Sequence, residues 1–209
     1  LPHQYPDGRT VRKWAPVDRK EYNDGPVWLA LAVWAYVAET GDAEFLREPF
    51  GFFESGERAD VLEHLRRGVE GLHARRGAHG LCLMPFGDWN DQLTGPGRGG
   101  RGESVWTTMA LAGALPRVAE LALTAGRDEL AASCTRARDD LAAAVRAHAW
   151  NGRWFNRAFT DDGAPVGHGD CPYGRIFLLP QAWAVLAGLA DAAQRDAALA
   201  ACFEHLRVE

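Results

Sequence analysis

Apolar residues along this chain are spaced for helices. After Pro26, the positions Leu29, Val33, Tyr36 and Val37 share one face of a 3.6-residue period, and Gly41 ends the run. Pro26 suits the opening turn, where its missing N–H leaves no hydrogen bond unmade. Leu62, Leu65, Val69 and Leu72 stripe a second helix over about 57–75. A third is predicted from near Glu103 to about Ala125, bent at Pro116 because an interior proline costs roughly 3 kcal/mol. Leu130, Cys134, Ala137, Leu141 and Val145 mark a fourth over 127–149, and two shorter helices follow over 180–194 and 196–207.

Between these runs the pattern breaks. Residues 1–25 are polar and rich in proline and glycine, and read as irregular. Residues 76–101 hold many glycines and no period, so they form a long loop, and a long loop in a compact domain is more often functional than idle. The stretch Arg153–Val166 alternates aromatic and polar residues around Asp161-Asp162-Gly163, a hairpin signal. The expected fold is all-α: three successive antiparallel helix pairs with a small β-hairpin insertion. No short solenoid repeat is present.

Composition narrows the function. With 47% hydrophobic and 24% charged residues over 209 positions, the chain is an ordinary globular one with enough length for a real core. A net charge of −5 without any basic block argues against nucleic acid or a membrane surface as partner. The cysteines Cys82, Cys134, Cys171 and Cys202 lie far apart, which predicts free thiols in a reducing compartment and a cytoplasmic location. No stretch reaches the roughly 18–20 apolar residues of a membrane span. The chain starts at Leu1 and stops inside a helical pattern, and reads as part of a longer protein.

The segment Phe86-Gly87-Asp88-Trp89-Asn90-Asp91-Gln92-Leu93 concentrates the chemistry. Breaking a glycosidic bond needs a carboxylic acid beside the leaving oxygen, because an alkoxide leaves poorly. It also needs an aromatic face for the apolar side of a sugar ring, and polar groups for its hydroxyls. Asp88-Trp89-Asn90-Asp91 supplies all three. The same residues also suit a polar turn in which aspartates accept backbone N–H groups.

Set beside other segments, this loop acquires a family. The chain resembles glycoside hydrolase family 94, the cellobiose and chitobiose phosphorylases and the related cyclic glucan synthase domains. The matching segments run in order: His3-Gln4-Tyr5, Tyr22-Asn23-Asp24-Gly25-Pro26-Val27-Trp28-Leu29, Gly87-Asp88-Trp89-Asn90-Asp91, Gly102-Glu103-Ser104-Val105, Gly174-Arg175-Ile176-Phe177, and Pro180-Gln181. The resemblance implies part, about half, of an (α/α)6 barrel spanning 1–209, with a β-sandwich upstream and further barrel helices downstream. It implies inverting phosphorolysis of a β-linked disaccharide or oligosaccharide to an α-sugar 1-phosphate. Asp91 would be the general acid and inorganic phosphate the nucleophile, with no other cofactor. Asp88 and Trp89 would shape the donor-sugar site, and Arg19 and Asp24 would hold donor hydroxyls. Glu103 and Gln181 are further substrate-binding candidates, and a homodimer of the full-length protein is allowed.

Bland roles stand beside these. Asp24 and Glu103 could be helix-terminus charges worth roughly 0.3–1 kcal/mol, and Gln181 could be a cap. Trp28, Trp34 and Trp183 sit at helical spacing and fit core packing. His64, His73, His148 and His205 fit solvated helix positions, and His79 and His168 lack metal-site spacing, so no metal is expected. The glycines at 95–102 lack the GxxxxGK[ST] pattern of a phosphate-cradling loop. The chain departs from the family where Gly25 follows Asp24, where Leu179 precedes Pro180-Gln181, and in that the phosphate-binding His and Thr segments fall beyond Glu209. An inverting hydrolase on the same barrel, with Asp24, Asp88 or Glu103 activating water, and a catalytically incomplete sugar-binding piece remain as alternatives.

Overall fold

The computed structural model describes residues 22–52, 55–85, 87–90 and 92–207. The irregular segment and Arg19 therefore lie outside the described residues, apart from the last few positions before the first helix. The described residues form six α-helices: α1 (Gly25–Thr40), α2 (Val61–Ala74), α3 (Val105–Thr124), α4 (Asp128–His148), α5 (Leu178–Leu186) and α6 (Ala192–Leu206). A 3-10 turn covers Ala43–Arg47.

Helix α3 is the centre of the array, packed against α1, α2, α4 and α5. Every residue from Val105 to Ala112 is buried, because the segment is apolar nearly all round and has no solvent-seeking face. The two buried threonines in it are hydrogen-bonded. Thr108 donates to the Ser104 carbonyl and accepts from the Cys82 amide, and Thr107 donates to Asn23. Pro116 stays inside one continuous helix, on an exposed side near its middle.

Some helix starts are set by side-chain caps that the periodicity missed. α2 begins at Val61, later than expected, because Asp60 accepts from the Glu63 amide at 2.7 Å. The residues before it, β2 (Arg58–Asp60), pair with β1 (Pro49–Gly51). The last two helices break earlier than the spacing predicts. α5 stops at Leu186, Gly188 takes φ +63°, and Asp191 with Gln194 closes a reciprocal capping box at the start of α6.

The expected hairpin is present as β5 (Ala158–Phe159) and β6 (Pro165–Val166). It extends into an antiparallel four-stranded sheet through β4 (Glu103–Ser104) and β3 (Cys82–Leu83). This corrects the reading of Glu103 as a helix start: it is a strand residue, and Ser104 is the N-cap of α3. All four cysteines are free, and burial pushes the thiols of Cys82 and Cys134 up to about 11. Among the described residues, no helix is long and apolar enough to cross a membrane.

On α2, hydrogen bonds from Arg66 and then Arg67 pull the Glu63 carboxyl from 4.5 down to about 2. A depressed carboxylate stabilises the fold above its ordinary value, and that contribution is lost as pH falls from there through about 2. Glu63→Gln is therefore expected to narrow the stability difference between about pH 5 and pH 2, read by denaturant unfolding at each pH.

Candidate functional site

Two of the motif segments lie side by side at the N-terminal end of α3. Tyr22 forms a parallel bridge with Gly87, which brings the residues before α1 against the Asp88-Trp89-Asn90 stretch. Asn23 is buried and ties both to the core, donating to the Leu83 carbonyl at 2.6 Å and accepting from Thr107. Asp24 caps α1 through its backbone only. Its carboxylate instead accepts from the Trp28 indole N–H at 2.7 Å and stays partly exposed.

Asp88 is fully buried. Its Oδ1 meets Arg157 Nη2 at 2.6 Å, its Oδ2 accepts from the Ser104 hydroxyl at 2.6 Å, and Oδ1 also accepts from the Asn90 amide at 3.0 Å. Arg157 has no exposure either, and its Nε has no partner, which leaves the pair as the main compensation for a buried guanidinium. Ser104 thus joins three functions: it caps α3 through the Thr107 amide, donates to Asp88, and lies 3.3 Å from Arg157 Nη1. Asp88 is thereby tied to the interior, with both carboxylate oxygens engaged.

The neighbouring Trp89 is 53% exposed. Its ring lies 6.5 Å from that of buried Trp106, which also packs against Trp28 at 6.2 Å and Trp183 at 6.1 Å. Trp34 and Trp183 pack against the core as expected, but Trp28 is 39% exposed beside Asp24. Two partly open indoles and a partly open carboxylate can receive a ring with an apolar face and hydroxyl donors.

Glu103 and Gln181 are both buried and hydrogen-bonded within the protein. Glu103 Oε1 accepts from the His79 and Leu81 amides, and Oε2 lies 2.5 Å from His79 Nδ1. Gln181 accepts from the Phe155 amide and donates to the carbonyls of Phe155 and Phe177, clamping α5 to the segment before β5. Asp91 and Arg19 lie outside the described residues. Sequence reasoning missed Arg157 and Trp106. Nothing local marks Arg157, whose partner is 69 residues away; Trp106 could have been found from its place directly after Gly102-Glu103-Ser104-Val105.

A cleft of about 710 Å³ between α2 and α4, lined by residues such as Glu63, Arg66, Arg127 and Arg136, holds none of the motif residues. Among the described residues, no three His, Cys, Asp or Glu side chains gather to hold a metal.

The profile of the glycosyl hydrolase 94 superfamily catalytic domain matches residues 11–209. The chain is 45% identical over 192 residues to solabiose phosphorylase from Paenibacillus borealis, covering 91% of this chain and 25% of that protein. It is 34% identical to cellobionic acid phosphorylase from Neurospora crassa, covering 96% and 26% respectively. The cyclic beta-(1,2)-glucan synthase NdvB of Rhizobium meliloti is 32% identical over 90% of this chain and 7% of its own. The chain thus spans about a quarter of the length of its phosphorylase relatives. Among solved structures, a family 78 rhamnosidase of Bacillus sp. GL1 superposes with TM-score 0.67 at 18% identity, over 90% of this chain and 18% of its own, a likeness of fold.

Removing one member of a buried ion pair strands the other, at a cost of about 3–5 kcal/mol. Arg157→Met is expected to destabilise the fold by that order, and the double change Arg157→Met with Asp88→Leu to recover much of the loss, both measured by denaturant unfolding.

Proposed function

The chain belongs to the glycosyl hydrolase 94 superfamily through its catalytic domain, and on that premise we propose that the protein cleaves a β-linked disaccharide or oligosaccharide by inverting phosphorolysis. Asp91 protonates the glycosidic oxygen as the bond to the anomeric carbon breaks. Inorganic phosphate attacks that carbon from the opposite face, and the product is an α-sugar 1-phosphate. An inverting hydrolase needs a second carboxylate to activate water, whereas phosphate arrives already anionic. The catalytic domain in this reading is an (α/α)6 barrel, of which the six described helices form a part.

The observation that carries the reading is the division of labour within Asp88-Trp89-Asn90-Asp91. Asp88 is fixed in the interior by Arg157 and Ser104, while Trp89 next to it is open for a sugar ring. Trp89 stacks the donor sugar; Asp24, oriented by Trp28, and Arg19 take its hydroxyls. Glu103 and Gln181 support the walls through their buried hydrogen bonds rather than touching substrate. Asp88 and Glu103 have their oxygens engaged inside the protein, which weighs against either of them activating water as in a hydrolase. Four free thiols suit a reducing, cytoplasmic setting.

The full-length protein is expected to release sugar 1-phosphate only when phosphate is present; equal turnover in phosphate-free buffer would overturn the reading. Asp91→Asn is expected to lower kcat by roughly 10²–10⁴, the range of a general acid, while sugar affinity measured by calorimetry stays within a few-fold.

A further inference from the structure

The glycines between Gly95 and Gly102 have no phosphate-loop pattern, yet they do cradle an anion, and that anion belongs to the protein. The Asp161 carboxylate at the tip of the β5–β6 hairpin accepts from the Gly99 amide at 2.6 Å, the Arg101 amide at 2.8 Å and the Gly102 amide at 3.0 Å. Its own amide donates to the Pro96 carbonyl at 2.8 Å, and its carbonyl accepts from Arg101 Nε at 3.1 Å. Successive backbone N–H groups turned toward one point make a concave anion site, and these donors hold the Asp161 carboxyl below its ordinary range.

Glycine is required for the backbone to close this tightly. A Cβ on Gly102 would lie 2.4 Å from the Pro96 carbonyl oxygen, one on Gly97 would lie 1.7 Å from that of Met84, and Gly100 takes φ +81°. The Met84 amide, donating to the Gly102 carbonyl at 2.8 Å, closes the base of the loop.

The hairpin therefore grips this loop twice. Arg157, just before β5, holds Asp88 on the N-terminal side of Asp91, and Asp161, just after β5, holds Gly99 to Gly102 on the C-terminal side. Both anchors flank the same two-residue strand, so the two ends of the intervening segment are held to one hairpin. We infer that the β5–β6 hairpin is a brace for the acid-bearing loop, with Asp161 the positioning residue that sets where Asp91 meets the glycosidic oxygen. The inference rests on Asp91 being the general acid. Displacing a reacting group by about 1 Å costs on the order of 10²-fold, so a clamp outside the substrate contacts has leverage on the rate.

The experiment uses the full-length protein with two donors: its natural glycoside, whose leaving oxygen must be protonated, and an aryl glycoside with a dinitrophenolate leaving group, which needs no acid. Asp161→Asn turns one acceptor into an N–H donor aimed at N–H groups. It is expected to lower kcat on the natural donor by about 10- to 100-fold, inside the general-acid range, with KM for the donor and turnover of the dinitrophenyl glycoside changed less than about threefold. Gly99→Ala, whose methyl would meet the Asp161 carboxylate at 3.0 Å, reaches the same clamp from the loop side and should give the same split. Asp162→Asn removes a neighbouring, largely exposed carboxylate and should leave both donors unaffected. Equal loss on both donors, or no loss on either, overturns the brace. If Asp91→Asn itself keeps full activity on the natural donor, the general-acid reading fails and the brace falls with it.

Discussion

A carboxylate and a guanidinium with no exposure to solvent, Asp88 and Arg157, fix the relation between the helical array and its loops. Either charge alone in the interior would cost several kcal/mol, and only close mutual contact with added hydrogen bonds offsets that. The contact cannot be made unless several elements are already in register. β4 must deliver Ser104 to Asp88, β5 must follow Arg157, and α3 must start at Val105 so that Ser104 caps it. The pair therefore acts as a registration point between segments far apart in sequence, and its penalty for misalignment falls on the loop that the proposed chemistry uses.

The helices were legible because their signal is local and repeated. Leu62, Leu65, Val69 and Leu72 are all buried on α2, and Cys134, Ala137, Leu141 and Val145 on α4, as a single 3.6-residue stripe predicts. Boundaries were less so, since they depend on single caps: Asp60 delays α2, and the Asp191–Gln194 box moves the last break. β3 and β4, two residues each, carry no readable period; β4 forms against β5, and β3 against β4.

The candidate site was legible as motifs but not as roles. The segments around Asp24, Asp88 and Ser104 do converge, which an ordered series of short matches could anticipate. What spacing could not say is which carboxylate faces inward. Asp88 and Glu103 differ from Asp24 only in the partners that tertiary contact supplies, Arg157 for one and His79 for the other. Asp161 looked like a turn residue, and it is one; that its carboxylate also fills the glycine cradle depends on a contact across some 60 residues. The glycines carry no phosphate-loop pattern, and the structure gives a physical reason for them in the close approaches at Gly97 and Gly102.

The tryptophan cluster has an optical consequence. Of the chain's eight tryptophans, Trp28, Trp89, Trp106 and Trp183 lie ring against ring, and the first and second of these remain open to water. Indoles at such separations exchange excitation, so emission from the buried Trp106 is coupled to the hydration of its outer neighbours. Any molecule that dries the Trp89 face should shift the intrinsic fluorescence of the whole group, giving the domain a built-in reporter of occupancy that needs no label and no turnover.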